Sequence, residues 1–200
     1  NSISCFSTTQ SEITTCFYPA NNPIEDRYEV KFLKNIKNAL FLSVLDGHGG
    51  YLLSEFAVER LSKYFDDSIL TYLKDNENEQ QAVTKCLMNT FERVENEFKD
   101  YAWKLYSKGE GRMATVGSCA MVSVIYNDHL YVANLGDSKA RLIRFDSKYK
   151  EYYSEKLMHR HNSEKPREKE KLQKMFPNEK DIVICKRPNG TVCYVKGRLQ

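Results

Sequence analysis

Apolar residues recur along this chain in two rhythms, and the change of rhythm separates strands from helices. Ile13-Thr14-Thr15-Cys16-Phe17-Tyr18 alternates with a period of two, as does Tyr28-Glu29-Val30-Lys31-Phe32-Leu33, so each predicts a strand. Pro19 to Pro23 reads as a loop between them, and Asn35 to Asn38 as a polar turn. Ala39 to Leu45 has the continuous hydrophobicity of a strand buried on both faces. These segments predict a hairpin that runs into Asp46.

The rhythm then lengthens. Leu52, Phe56, Ala57, Leu61, Tyr64, Phe65, Ile69 and Leu73 recur at helical spacing, which predicts an amphipathic helix with a break near Asp66-Asp67. Asp75 to Gln80 is a polar loop. Ala82, Val83, Cys86, Leu87, Phe91, Val94, Phe98, Ala102 and Leu105 predict a second long helix, with Trp103 in the core, and Ser107 to Arg112 stops it.

Ala120 to Tyr126 and Leu130 to Leu135 flank Asn127-Asp128-His129 as a hairpin, and strands are predicted over Lys139 to Phe145 and Tyr152 to Leu157. Glu164 to Phe176 reads as a short charged helix ended by Pro177, and a last hairpin turns around Pro188-Asn189-Gly190. Strands, two helices and more strands predict an α+β fold with helices layered on antiparallel sheet.

Composition changes this picture little. Hydrophobic residues at 41% and charged residues at 28% belong to a globular chain, and a formal charge of +3 provides no nucleic-acid-binding face. Lysines from Lys165 to Lys174 alternate with glutamates as on a solvated helix face. No apolar run approaches the roughly 18 residues of a membrane span, and no signal peptide is visible. Six cysteines form no C-x-x-C pair and no cluster with histidine, so they read as free thiols in a reducing, intracellular compartment, the cytoplasm first.

Candidate chemistry gathers where the first hairpin ends. A strand ending in Asp46-Gly47-His48-Gly49-Gly50 delivers a carboxylate to a sheet edge, with glycines that allow a close turn and a nearby carbonyl. Glu25-Asp26 lies one strand upstream. Carboxylate and carbonyl oxygens suit Mg2+ or Mn2+, while His48 is suited to proton transfer. An ordinary strand-to-helix turn with an aspartate cap would use the same residues. A phosphate ester repels hydroxide, so a catalyst of its hydrolysis needs cations near the phosphoryl oxygens. Asp46 and the Gly47 carbonyl are the candidate ligands, with Glu25 and Asp26 to orient bound waters and His48 to protonate the leaving alkoxide. A cysteine-nucleophile phosphatase would need a C-x5-R phosphate cradle, which none of the cysteines provides.

Further motifs follow: Gly117-Ser118-Cys119-Ala120, then Val132-Ala133-Asn134-Leu135-Gly136-Asp137-Ser138-Lys139-Ala140. In this order, with Glu25-Asp26 and Asp46 to Gly50, they resemble the metal-dependent Ser/Thr protein phosphatases of type 2C. Pro19 to Arg27 is similar to the branch containing pyruvate dehydrogenase phosphatase, which would admit a mitochondrial matrix location. The resemblance implies an antiparallel β-sandwich flanked by helices, with residues 1–200 as the N-terminal half to two-thirds of a single domain. It implies a phosphorylated protein substrate, a pair of Mg2+ or Mn2+ ions, Asp46, Gly47 and Asp26 at the metal site, and His48, Glu25 and Asp26 in catalysis.

Three departures stand out. Asn21 occupies the position where many family members carry a phosphate-clamping arginine, so its amide is the candidate phosphate contact. Met158-His159-Arg160-His161-Asn162 carries Arg160 where an Asp-His pair is usual, and His159 and His161 read as loop residues rather than zinc ligands. Two further metal-binding aspartates are expected in a C-terminal portion absent from this chain. A pseudophosphatase serving as a binding or regulatory module is the alternative function. Gly136-Asp137-Ser138 reads as a tight turn with Asp137 bonded to backbone amides, and Gly117-Ser118 as close backbone packing beside the metal-bearing strand.

Overall fold

The computed structural model describes residues 2–7, 12–179, 181–186 and 192–195. Chain order is β1 (Ser2–Ser7), β2 (Glu12–Phe17), β3 (Arg27–Phe32), β4 (Leu40–His48), α1 (Leu52–Asp75), α2 (Glu79–Tyr106), β5 (Gly117–Tyr126), β6 (His129–Leu135), β7 (Arg141–Asp146), β8 (Glu151–Lys156), α3 (Pro166–Met175), β9 (Val183–Lys186) and β10 (Val192–Val195). A 3-10 turn spans Gly111–Thr115. The α+β class holds. The main sheet runs β3-β4-β5-β6, and β1-β2, β7-β8 and β9-β10 are separate two-stranded antiparallel ribbons.

Alternation decides which face of the sheet is covered. Phe41 and Leu45 of β4 and Val122 and Val124 of β5 are fully buried against Phe65, Ile69 and Leu61 of α1 and Val83 and Cys86 of α2. Each such side chain contributes about 2 kcal/mol by leaving water. The opposite face is open in part, since Val44 is 54% exposed. β4 is therefore not buried on both faces as its composition suggests. The β5–β6 hairpin turns on Asn127 and Asp128, both in the left-handed region with φ of 46° and 60°, a pairing that matches the twist of the flanking strands.

α1 continues without a break through Asp66. That residue is only 6% exposed because its carboxylate accepts the backbone N–H groups of Lys34 and Asn35 at 3.0 Å, while its own carbonyl accepts the Asn35 amide at 2.8 Å. An acidic residue inside an apolar stripe thus caps the β3–β4 turn instead of ending the helix. Trp103 is also placed differently from expectation. It is 70% exposed and stacks on Tyr106, because the last turns of α2 pack through Phe98, Ala102 and Leu105, against Met113 and Val116.

Two cysteines are not free thiols. The β9–β10 register sets Cys185 opposite Cys193, and they form a disulfide. Cys16, Cys86 and Cys119 are free, and Cys5 lies outside the residues whose side chains are described. The last hairpin and the charged helix, α3, stand as expected, whereas the turn expected at Pro188 to Gly190 lies outside the described residues. Among the described residues no helix is long and apolar enough to cross a membrane.

Removing the Asp66 carboxylate takes the acceptor from two turn N–H groups, those of Lys34 and Asn35. Asp66→Ala should cost about 2 kcal/mol in urea unfolding, and Asp66→Asn less, since one acceptor oxygen survives. Equal stability of Asp66→Ala and the parent would show that water replaces the carboxylate at the turn.

Candidate functional site

Strand β4 extends three residues beyond its apolar run. Asp46, Gly47 and His48 remain paired, opposite Cys119, Ser118 and Gly117 of β5, and the chain turns only at Gly49 and Gly50, whose φ angles of 71° and 136° favour glycine. Successive residues face opposite sides of a sheet. With Leu45 buried against the helices, Asp46 is directed to the other face, and Cys119, directly across the ladder, shares that face.

Asp137 joins them from the loop after β6. One ligand atom each from Asp46, Cys119 and Asp137 lie within 4.8 Å of one another, and they form such a group among the described residues. Gly136 permits this approach: a side chain on it would run into Cys119, and its φ of 107° suits only glycine. The segment after β8 closes over the loop. The His161 N–H donates to the Gly136 carbonyl at 2.9 Å, and the Asn134 amide donates to the carbonyls of Gly136 and His159. Ser163 donates to the Cys193 carbonyl at 2.7 Å, so the last hairpin anchors the same segment.

Asp137 is therefore more than a turn residue. Its carboxylate accepts from side chains rather than backbone amides: Arg160 Nη2 at 3.0 Å, Asn162 Nδ2 at 3.2 Å and, more weakly, the Cys119 thiol at 3.8 Å. Partial burial opposes its ionisation. The Asn162 and Arg160 hydrogen bonds and the guanidinium charge outweigh that and hold Asp137 below the ordinary carboxylate value. Asp46 is pushed the other way. Partial burial raises its carboxyl, the charges of Asp26 and Asp137 and, less, of Glu25 add to this, and His48 opposes it.

The two carboxylates differ because hydrogen bonds and a guanidinium outweigh burial at Asp137, whereas at Asp46 burial and like charges outweigh the opposing His48. Cys119 is driven upward by burial and by both aspartates, so it stays a thiol at neutral pH. It lines the site as a weak donor rather than standing apart from it. Hard oxygens from Asp46 and Asp137, with excess negative charge at Asp46, fit a divalent cation of the Mg2+ or Mn2+ kind, whereas a protonated thiol does not suit it.

The acidic loop reaches the site through its backbone. Any side chain at Gly47 would overlap the Glu25 carbonyl oxygen, which accepts a short hydrogen bond from buried Ser54 in the first turn of α1. Arg27 donates to the carbonyls of Ile24 at 2.9 Å and Asp26 at 2.8 Å and pairs with Glu55 of α1 at 3.3 Å. Asn21 donates its amide to the Glu25 carboxylate at 3.3 Å. Glu25 and Asp26 thus lie close enough to act on Asp46 while standing outside the tight three-residue group. His48 and His161 line the same cleft as Asp46 and Asp137, a cavity of about 400 Å³. Sequence reasoning missed Cys119, Asp137, Arg160 and Asn162 as site residues. Cys119 is placed by its pairing with Asp46 across the ladder, which the sequence alone does not reveal.

The Arg160 and Asn162 contacts generate a test in metal-free buffer. Asp137→Asn should lower stability by about 1 kcal/mol at pH 7, a modest figure because the pair is partly exposed. The folded pKa lies below the reference value of 3.8, so this stability is present above that value and is lost as pH falls through the folded pKa. Urea unfolding at neutral and acid pH should show the difference closing in acid. A difference that persists there would assign the effect to packing rather than charge.

Comparison with known proteins bears on this geometry. A family model described as Protein phosphatase 2C matches residues 14–192. The chain is 30% identical over 195 residues to the probable protein phosphatase 2C 28 of Oryza sativa subsp. japonica, covering 94% of this chain and 46% of that protein. It is 33% identical over 161 residues to the probable protein phosphatase 2C 64 of Arabidopsis thaliana, covering 80% and 37% respectively. The chain spans about half the length, or less, of the curated relatives it matches. The fold is similar to that of a serine-threonine phosphatase 2C from Toxoplasma gondii, with TM-score 0.62, 16% identity, and 82% of this chain and 52% of that one covered. A C. elegans sex determining protein is similar too, with TM-score 0.60, 19% identity, and 88% and 38% covered. From the match over residues 14–192, together with the relatives, this chain belongs to the protein phosphatase 2C family.

Proposed function

We propose that this chain is the N-terminal portion of a single metal-dependent phosphatase domain that hydrolyses phosphoserine and phosphothreonine in proteins. The observation that carries the reading is the cleft itself: Asp46, pushed up by partial burial and by surrounding carboxylates, faces Asp137 with His48 on the same wall. Asp46, with the Gly47 carbonyl and Asp26 and with Asp137 facing it, would hold Mg2+ or Mn2+. Such ions supply positive charge to the phosphoryl oxygens and acidify water.

The remaining roles belong to side chains. His48 protonates the departing serine or threonine alkoxide, a group too basic to leave unassisted. Glu25 and Asp26 orient water at the strand end, held there by Ser54 and Arg27. Asn21, already donating to Glu25, turns its amide to the substrate phosphate, with weaker, uncharged contacts than an arginine would give. A C-terminal segment completing the domain is a partner in this reading, and would add the further carboxylates that a pair of ions needs.

One observation favours a second reading. The Arg160 guanidinium already neutralises Asp137 from within, as a pseudophosphatase keeping the fold as a binding module would tolerate. The narrower likeness to the pyruvate dehydrogenase phosphatase branch, and with it a mitochondrial location, rests on Pro19 to Arg27 alone, and the relatives named above do not carry it. An intracellular, cytoplasmic location is proposed on the free Cys16, Cys86 and Cys119, with the Cys185–Cys193 bond standing against a wholly reducing compartment.

Two substitutions test the assignment in the complete polypeptide. Asp46→Asn should weaken Mn2+ binding at least about tenfold in calorimetric titration while the circular dichroism spectrum is retained. Mn2+ binding equal to the parent's would reduce Asp46 to a strand-end carboxylate. His48→Gln should leave Mn2+ binding intact and slow alkyl phosphate hydrolysis by about 100-fold, with a much smaller effect on an activated aryl phosphate whose leaving group needs no proton. Equal losses on both esters would contradict the acid role.

A further inference from the structure

A second cavity, of about 440 Å³, opens beside the acidic cleft, and its walls carry the opposite charge. Lys139 and Arg141 enter it from the start of β7, Lys156 from the end of β8, Arg160 from the segment that follows, and Lys165 and Arg167 from the start of α3. Glu168 is the acidic residue among the lining side chains. The topology forces this gathering. Antiparallel pairing sets Arg141 opposite Lys156, and the Leu157 N–H donates to the Ala140 carbonyl, which keeps both ends of the ribbon together where α3 begins. The amino end of a ten-residue helix adds its own partial positive charge.

Apart from Arg160, which pairs with Asp137, these cations are not neutralised by the fold. Among the described residues, Lys139, Lys156, Lys165 and Arg167 are exposed and make no ion pair within 4.0 Å. Arg141 is held by Ser154, a neutral acceptor, at 2.9 Å. Crowding like charges costs the folded state free energy that an arriving anion returns. The chain as a whole carries only +3, so the patch is a local concentration rather than a general excess.

Arg160 connects this cavity to the site. It lines the basic cavity and donates to Asp137, which lines the acidic cleft with Asp46 and His48. The field therefore changes sign across one side chain.

We propose that the basic cavity binds a second phosphate on the substrate, carried by a residue flanking the one whose phosphate enters the cleft. This rests on the phosphatase reading above. A phosphate dianion suits it better than a single carboxylate, because guanidinium and ammonium groups from several elements line one cavity and a dianion offers more charge and more acceptor oxygens to them. The basic residues are concentrated around one cavity of about 440 Å³ in a chain of net charge +3, which disfavours a polyanion track such as RNA.

The test uses the complete polypeptide in EDTA, so that binding is read without turnover, and fluorescence anisotropy with three kinds of labelled peptide. One bears a lone phosphoserine between neutral residues; one set bears a second phosphoserine at successive offsets on either side; a matched set carries glutamate at those offsets. At least one doubly phosphorylated peptide should bind about tenfold tighter than the singly phosphorylated one, and the glutamate peptide should recover less of that gain. Lys139→Glu combined with Arg167→Glu should abolish the gain while leaving the lone phosphopeptide and Mn2+-dependent aryl phosphate turnover unchanged. Lys139→Gln with Arg167→Gln, a milder pair on exposed positions, should halve the gain or more and guards against a folding defect. No gain at any offset, a gain that survives both double variants, or equal displacement by a single-stranded oligonucleotide of matched charge would overturn the proposal. Absence of aryl phosphate turnover in the parent would instead remove the phosphatase reading, and the peptide gain would still decide whether the cavity takes a phosphate.

Discussion

The ladder between β4 and β5 is the constraint on which the rest depends. It runs from Leu40 opposite Ile125 to His48 opposite Gly117, past the point where β4 ceases to be apolar. Side-chain direction in a strand has a strict period of two, so burying Phe41 and Leu45 against the helices commits Asp46 to the other face with Cys119. A slip of one residue would aim the carboxylate into the core and Val44 with it. Packing on one side of the sheet thus sets the chemistry on the other, and the fully buried Val122 and Val124 of β5 guard the same register.

Helix α1 braces both ends of the hairpin that leads to this ladder. At one end Asp66 receives the N–H groups of the β3–β4 turn; at the other Ser54 and Glu55 hold the acidic loop through the Glu25 carbonyl and Arg27. Lys31 of β3 reaches Ser62 between them at 2.9 Å. One helix therefore serves as core wall and as the support of the loop. Gly47 is required here for space more than for backbone freedom, since the loop packs where its side chain would stand.

Period and punctuation made most elements legible. The shift from twofold to helical spacing placed α1 and α2, Asn127-Asp128-His129 marked a hairpin whose turn proves to be Asn127 and Asp128, and Asp46, His48 and the Glu25-Asp26 pair stood out by residue type at strand ends. What stayed hidden depends on contacts between distant segments. Asp66 looks like a helix breaker until the turn it caps is seen, 31 residues away. Trp103 looks like core until the end of α2 is found to pack through Phe98, Ala102 and Leu105 instead. The Cys185–Cys193 bond and the place of Cys119 both follow from cross-strand register, which spacing alone does not give. Arg160 read as an odd replacement for an acid. Its meaning emerged only when the segment after β8 was found lying over Asp137.

The Arg160–Asp137 pair gives the cleft a counterion that belongs to the polypeptide. Unlike an ion from solution it is always present in a fixed ratio, and no chelator removes it. One wing of the site is consequently organised whatever the ionic content of the surroundings, while the Asp46 wing remains responsive to it. A cation reaching Asp46 meets a neighbouring carboxylate that is already ionised and already oriented, so the ordering entropy of that neighbour has been met during folding rather than at binding. The same pair limits how much negative charge is left to attract a further cation. Preorganisation and ion capacity are, in this cleft, opposed properties of a single guanidinium.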